Sequence, residues 1–462
     1  MATYNLAQLD FALIQDGYTQ NTRAQVENYL KAEGFFTTPT STIDAETAPG
    51  DPSANLLIFH PPSSETIPTG LGTANADLSY ILDPAVGITD LTVTGGGNIG
   101  ISLTTGAESL TLATSGNDVV FTGFGTETIN ATTATGNDTI YAQGSGTATV
   151  MAGAGADTLE ALAGSGATLF ESGSVHGGPA TSTYDYSSAA DTFVGGAGND
   201  TLYSNNTVGD TLEAGSGNQR LQSNVGANSL LGGTGADTLV STSSGNDTLH
   251  GGSGPNELLG FGSGSDQFIS GSLSTGPGTL IDDYGSTTST LQGGAGADSI
   301  YANNSAGDSM YSGTGSDQAL DGFIGGNNSI TAGANSGNDD TLGAGTGNDT
   351  LNASLDPNFV ALYSGAGNST LEGGSNAEGY FGILSNGDDT VHITTGTGST
   401  TSYVDMTTVR ASGAVTSGLP ADGSTNTNVT LTFGNGQNID VASSTGTTVV
   451  LEFSDKNVTY NG

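Results

Sequence analysis

The sequence predicts an all-β chain folded as a right-handed parallel β-solenoid, or β-roll, with a small helical region before it and a β-rich cap after it. Three observations predict this. A glycine-aspartate phrase recurs, complete as GGAGNDTLY at 195–203, GGTGADTLV at 232–240 and GGAGADSIY at 293–301. Its sixth position returns every nine or ten residues across 190–270, as Asp191, Asp200, Asp210, Gln219, Asn228, Asp237, Asp247, Asn256 and Asp266. Apolar residues recur in register just after the acid, as TL, SI or TI. A short strand and a tight turn fill each unit, and two units make one coil of about 19 residues. Glycine supplies positive-φ turn positions, and the aspartates offer carboxylates to a hard cation.

Residues 1–45 differ from the rest. Segments 5–14 and 19–33 carry helical spacing, with Val26, Tyr29 and Leu30 on one face, Asn21 or Thr22 placed as N-cap and Gly34 as C′ residue. This region reads as a helical cap on the solenoid's open end, as an assembly module, or as both. Residues 46–85 are rich in Pro and Thr and read as a linker with the first irregular strands. The repeat array then runs over 86–395. Two stretches, 171–189 and 270–290, break its phase; they contain Pro179, Pro277, Tyr184, Tyr186 and Tyr284 and read as surface loops. Residues 396–462 lose the phrase and alternate instead, as in NVTLTFGNG at 428–436 and TVVLEF at 448–453. Gly-Asn-Gly at 434–436 between alternating runs predicts a hairpin within an antiparallel cap, because an uncovered solenoid end is an open sheet edge.

The complete copies resemble the RTX nonapeptide family, whose motif is GGxGxDxUx with U a large apolar residue. Looser copies extend the resemblance from roughly 98 to 391: SGNDVV at 115–120, TGNDTI at 135–140, AGADTL at 154–159, SGNDTL at 244–249, GTGSDQAL at 313–320 and TGNDTL at 346–351. Many units depart from the motif by losing a glycine or the aspartate, or by lengthening. The resemblance implies that Ca²⁺ is held between successive coils, with the aspartate as side-chain ligand. It also implies export by type I secretion through an uncleaved C-terminal signal.

A calcium site between coils needs acids one coil apart on one side, which sorts the sixth positions into columns. One column is Asp118, Asp138 and Asp157, opposite Glu127, Ala148 and Ala167. The next is Asp191, Asp210, Asn228, Asp247 and Asp266, opposite Asp200, Gln219, Asp237 and Asn256. Later come Asp298 with Asp317, then Asp308, Asp340, Asp349 and Asp389. Two carboxylates neutralise one ion, so Asp200 with Gln219 and Asp237 with Asn256 are expected to bind more weakly. Two metal-free readings stand beside this one. Asp and Asn in Gly-rich turns bond their own backbone, and stacked Asx side chains form a ladder without an ion.

Composition limits the partners. Lys plus Arg total 5 against 46 Asp plus Glu, a formal charge of −41. Nucleic acid and anionic membrane surfaces are excluded as partners on that balance. There is no apolar run long enough to cross a membrane as a helix, the N-terminal MATYNLAQLDFALIQ lacks the features of a Sec signal, and there is no Cys. The four histidines, His60, His176, His250 and His392, share no motif, and no GxSxG, HExxH or phosphate loop occurs, so the chain does not read as an enzyme. An ice-binding row of Thr and Asx is broken by Ala156, Ala236 and Ala297. What remains is a secreted, self-assembling, calcium-binding structural protein of a surface layer, filament or extracellular matrix. The other reading is an adhesin whose partner is a cell-surface glycan, a host or an abiotic surface.

Overall fold

The computed structural model describes residues 2–15, 20–32, 35–36, 43–46, 56–59, 65–68, 78–82, 90–103, 108–173, 179–271, 278–315, 317–322, 324–334, 340–374, 379–384, 387–394, 401–412 and 414–462. Gly34, His60, His176 and Pro277 lie outside them. The fold is all-β, a parallel β-solenoid of about 14 turns with small N-terminal helices. It divides into two compact units, Met1–Leu221 and Gln222–Gly462.

In the first unit the chain alternates between two parallel sheets. One stacks Val119–Phe121, Thr139–Ala142, Thr158–Ala161, Ser182–Asp185 and Thr201–Ser204. The other stacks Ser109–Thr114, Glu127–Asn130, Ala148–Met151, Thr168–Glu171, Thr192–Val194 and Thr211–Glu213. Side chains alternate along each strand, so every second residue meets its counterpart one coil on. Leu110, Ile129, Val150, Phe170, Phe193 and Leu212 form one such inward file, all of them buried. Phe170 and Phe193 stack at 5.6 Å. Parallel pairing already includes Leu56–Phe59 with Leu78–Leu82 and Glu65–Pro68 with Asp90–Gly95.

The N-terminal helices are α1, Leu6–Gln15, and α2, Gln20–Ala32. Asn21 and Thr22 therefore lie inside α2, and neither is its N-cap. Leu9, Leu13, Val26, Tyr29 and Leu30 form a separate small core that packs against Tyr4, Phe35, Phe36 and Val119. Val119 is an outward position of its strand, so the helices rest on the outer face of a sheet; Arg23 of α2 pairs with Asp10 of α1 at 2.7 Å, and Gln25 bonds to Gln143 of the solenoid. The strand Ala2–Tyr4 pairs antiparallel with Ile43–Glu46, which runs parallel to Leu56–Phe59.

The second unit repeats the plan. Its inward files are Leu230, Leu249, Phe268, Leu291, Met310, Ile330, Leu351, Leu371, Val391 and Val441 in one sheet. In the other they are Leu239, Leu258, Ile281, Ile300, Leu320, Leu342, Leu362, Phe381, Val404 and Leu451. All are buried. Both sheets end in antiparallel strands: Asn438–Ser443 pairs with Asn428–Phe433 and Thr448–Glu452 with Asn457–Asn461. The first of these hairpins turns through Gly436 at φ +91°.

Candidate metal centre

The fourth-position glycines bring successive turns into near contact. A Cβ on Gly136 would overlap the Gly116 carbonyl, one on Gly155 the Gly136 carbonyl, and one on Gly264 the Gly245 carbonyl. Only glycine allows the backbones to stack this closely. With the turns so near, a sixth-position Asp or Asn side chain can reach the coil before it. Its Oδ1 accepts a hydrogen bond from the backbone N–H at the equivalent position there.

In the first unit Ile99 donates to Asp118 at 3.0 Å, Asp118 to Asp138 at 2.9 Å and Asp138 to Asp157 at 2.8 Å. Likewise Thr168 donates to Asp191, Thr181 to Asp200 and Asp191 to Asp210. In the second unit the donor–acceptor pairs are Asn228–Asp247, Asp247–Asp266, Thr279–Asp298, Ser289–Asp308, Gln318–Asp340, Asn328–Asp349 and Ser369–Asp389. Asp237 donates to Asn256 in the same way. All these acids are buried.

The second carboxylate oxygen is set by motif position two. Where that residue is glycine its N–H donates, as Gly153 does to Asp157, Gly196 to Asp200, Gly233 to Asp237, Gly294 to Asp298 and Gly345 to Asp349. Where it is Ser or Thr the hydroxyl takes over, as Thr114 does for Asp118, Ser187 for Asp191 and Ser243 for Asp247. Ala134 holds that place before Asp138, and Asp138 Oδ2 is buried with no hydrogen-bond partner. A loss of glycine that looks like decay of the motif is therefore, at Ser and Thr, an exchange of donors.

Burial raises the affinity of several of these carboxyls for protons. It pushes Asp138 up to about 7, with the charges of Asp118 and Asp157 adding to the effect. Asp118 rises to about 6, Asp308 to about 6, Asp210 to about 7, Asp266 to about 7 and Asp389 to about 7, in each case chiefly through desolvation. Between 86 and 395 the only Lys or Arg is Arg220.

The structure brings together Asp118 with Asp138 and Asp157, Asp191 with Asp210, and Asp247 with Asp266 as adjacent acids. It does not bring Asp317 to Asp298. Asp317 is exposed at φ +59°, and Gln318 takes the column position. The unit is one residue longer than the spacing assumed, and Asp317 absorbs the extra residue in a left-handed turn. The columns then alternate acid with neutral: Asp298, Gln318, Asp340 in one, and Asp308, Asn328, Asp349, Ser369, Asp389 in the other.

The glutamines do more than dilute charge. Gln219 Nε2 donates to the carbonyls of Gly196 at 2.5 Å and Gly198 at 3.5 Å, while Gly215 N–H donates to its Oε1. Gln318 repeats this with Gly294 at 2.9 Å, Gly296 at 3.2 Å and Gly313. Glycine carbonyls of motif positions two and four thus converge on one point in the turn, and there the amide hydrogens meet them. Turn carbonyls plus stacked carboxylates form an all-oxygen donor set suited to Ca²⁺. The partnerless Asp138 Oδ2 is an oxygen donor of the same kind.

Sequence reasoning missed Asp185 and Asp283, which end strands rather than occupy turns. Asp185 lies with Asp191 and Asp210 so that one oxygen of each falls within 4.8 Å of the others. A signal for both was present, because 182–210 and 280–308 share the pattern D-Y, GGAG, D, Y and NN at equal spacing.

Among curated proteins and among solved structures no match to this chain is found. A family model described as the RTX calcium-binding nonapeptide repeat (4 copies) matches residues 143–165, 186–208, 206–239, 241–272 and 284–319. Residues 143–319 thus carry RTX calcium-binding nonapeptide repeats, a repeat type that binds several Ca²⁺ ions.

Proposed function

We propose that this is a secreted, calcium-binding structural protein that self-assembles into a surface layer, filament or extracellular matrix. The observation that carries the reading is the run Asp118, Asp138, Asp157: three buried acids on consecutive coils, one oxygen without a partner, in a chain of charge −41. Bound calcium supplies the positive charge that lets such neighbours stay ionised together. The same role is assigned to Asp191 with Asp210 and Asp247 with Asp266, and more weakly to Asp200, Asp237, Asp298, Asp308, Asp340, Asp349 and Asp389. Asp317 is left out of the ligand set. Gln219 and Gln318 hold their turns through their own amides.

In this reading 1–45 is the assembly region, 46–85 a linker with first strands, 86–395 the repeat body, and 396–462 a cap that includes a type I secretion signal. Loose coils at low calcium suit passage through a secretion channel, and closed coils suit the outside. Among the described residues no helix is long and apolar enough to cross a membrane. The test is electron microscopy of the purified chain with calcium and with chelator. Ordered arrays or fibres that need calcium support the reading. Dispersed rods in both conditions favour an adhesin. One observation favours that second reading: Phe261 and Tyr284, 51% and 47% exposed, stack at 5.3 Å and offer flat apolar faces of the kind that sugar rings cover.

A further inference from the structure

We infer that Asp185, Asp191, Asp210 and Asn206 form a divalent-cation site that extends beyond the repeat's own turn ligands, and that Asp283, Asn304 and Asp308 are an incomplete twin of it. The first three are buried carboxylates with mutually close oxygens. Asp185 is the last residue of the strand Ser182–Asp185 and belongs to no nonapeptide phrase. The inference shares Asp191 and Asp210 with the column reading and rests on it to that extent.

A second observation points to an ion. Asn206 is 3% exposed, and its side chain is inserted between the acids. Its Nδ2 faces three acceptors: Asp185 Oδ2, Asp210 Oδ1 at 3.0 Å and the Ala189 carbonyl at 2.9 Å. Two of these acceptors have a further donor, Asp210 Oδ1 from Asp191 N–H and the Ala189 carbonyl from Ser187 Oγ, so three oxygens converge on the amide from three directions. Meanwhile Asn206 Oδ1 is buried with no hydrogen-bond partner. A hard cation at this point answers that fault. It draws on the converging oxygens, and it gives the amide oxygen, once turned inward, a role as ligand. Donors outside the amide also hold the carboxylates: Ser187 N–H holds Asp185 Oδ1, Thr168 N–H and Ser187 Oγ hold Asp191, Asp191 N–H holds Asp210 Oδ1, and Ser204 Oγ holds Asp210 Oδ2. Such bonds fix ligand orientation.

The twin supplies an internal comparison. Asn304 Nδ2 donates to Asp283 Oδ2 at 3.1 Å and Asp308 Oδ2 at 2.8 Å, with sequence separations of 21 and 4 residues, the same as Asn206 has from Asp185 and Asp210. Ser289 stands where Asp191 stands in the first copy, and Asn304 Oδ1 is satisfied by Ala306 N–H. The twin has two carboxylates instead of three and no partnerless amide oxygen.

The experiment uses the full chain and Ca²⁺ stoichiometry by equilibrium dialysis, with Tb³⁺ luminescence excited through tyrosine, since the chain has no Trp. Asp185→Asn is expected to lose one ion per chain, or to weaken one class of site at least about tenfold, with the other sites unchanged. Ser289→Asp is expected to add one ion, or to tighten one class by a similar factor. Unchanged stoichiometry and affinity in a folded Asp185→Asn would overturn the inference while the column reading stands. If Asp185→Asn does not fold, Ser289→Asp decides, and no gain there sinks the idea. A wild-type chain that binds no calcium removes both readings together.

Discussion

At the scale of single residues, the buried aspartates make acid an ally of the metal-free chain. Several of them hold protons in the folded state above the ordinary aspartate value of 3.8, with Asp138, Asp210, Asp266 and Asp389 at about 7. Between these limits the folded state holds more protons than the unfolded state, so stability falls as pH rises. The calcium-free protein should therefore melt at higher temperature at pH 5 than at pH 8. Saturating calcium should flatten that slope by taking the place of the protons. Thermal melts at both pH values, with and without calcium, check this; a calcium-free Tm that rises from pH 5 to pH 8 is the contrary result. Backbone proximity gives a second residue-scale test. Gly136→Ala places a methyl on the Gly116 carbonyl and should cost at least ~1–3 kcal/mol, as overpacking does. Gly97→Ala, with nothing within 4 Å and no positive φ, should be close to neutral in the same denaturation assay.

At the scale of the element, one turn differs from the next by what fills it. Gln219 fills the turn beside Asp200 with its own amide. Gln219→Asp should therefore create a carboxylate pair, bind one more calcium ion, and be less stable than wild type when calcium is chelated. Titration calorimetry with paired melts checks this, and an unchanged ion count would refute it. The strand-and-turn unit itself was legible in the sequence. Apolar residues such as Leu202, Leu239, Leu249 and Ile300 follow the acid in register, and all four are buried. That pattern is local, and local patterns survive in a linear reading. What was not legible depended on register across coils. Asp317 looked like a column member by spacing from Asp298, but one extra residue in the turn handed the place to Gln318. Asp185 and Asp283 were overlooked because they sit at strand ends, and only the coil above shows that a side chain there meets a turn. The helical segments were readable from their spacing, but their seat beside Val119 was not, since nothing local names a docking partner.

At the scale of the whole molecule, charge decides what can associate. A chain with 46 acidic residues and 5 basic ones repels its own copies until cations intervene. Chelation should disperse any assembly, and added NaCl should fail to restore it, because screening does not replace coordination. Light scattering after chelation and salt addition checks this; full recovery in NaCl would mean that charge screening alone is at work. Deleting 1–45 removes both helices and most of the first antiparallel pair. It should block assembly while leaving the calcium-dependent fold of the repeats intact, as read by circular dichroism. Normal assembly of the deletion would reduce that region to a cover for the sheet.

The direction of the buried ladder has a further consequence. Inner turn amides are satisfied by a side chain of the following coil, as Asp118 is by Asp138, Asp247 by Asp266 and Asp237 by Asn256. A second ladder runs the other way at position five, where Asn117 N–H donates to Asn98 and Asn137 N–H to Asn117, but it is exposed and water can stand in for it. Of these two side-chain ladders, the buried one imposes an order. A coil that forms with nothing C-terminal to it leaves its sixth-position amide stranded, whereas one that forms against a finished C-terminal neighbour pairs that amide at once. Growth therefore has a preferred sense, from the last coil toward the first. In a chain threaded out of a cell with its C-terminus leading, every newly emerged coil would find its template already waiting outside, and folding would work as a one-way ratchet against return.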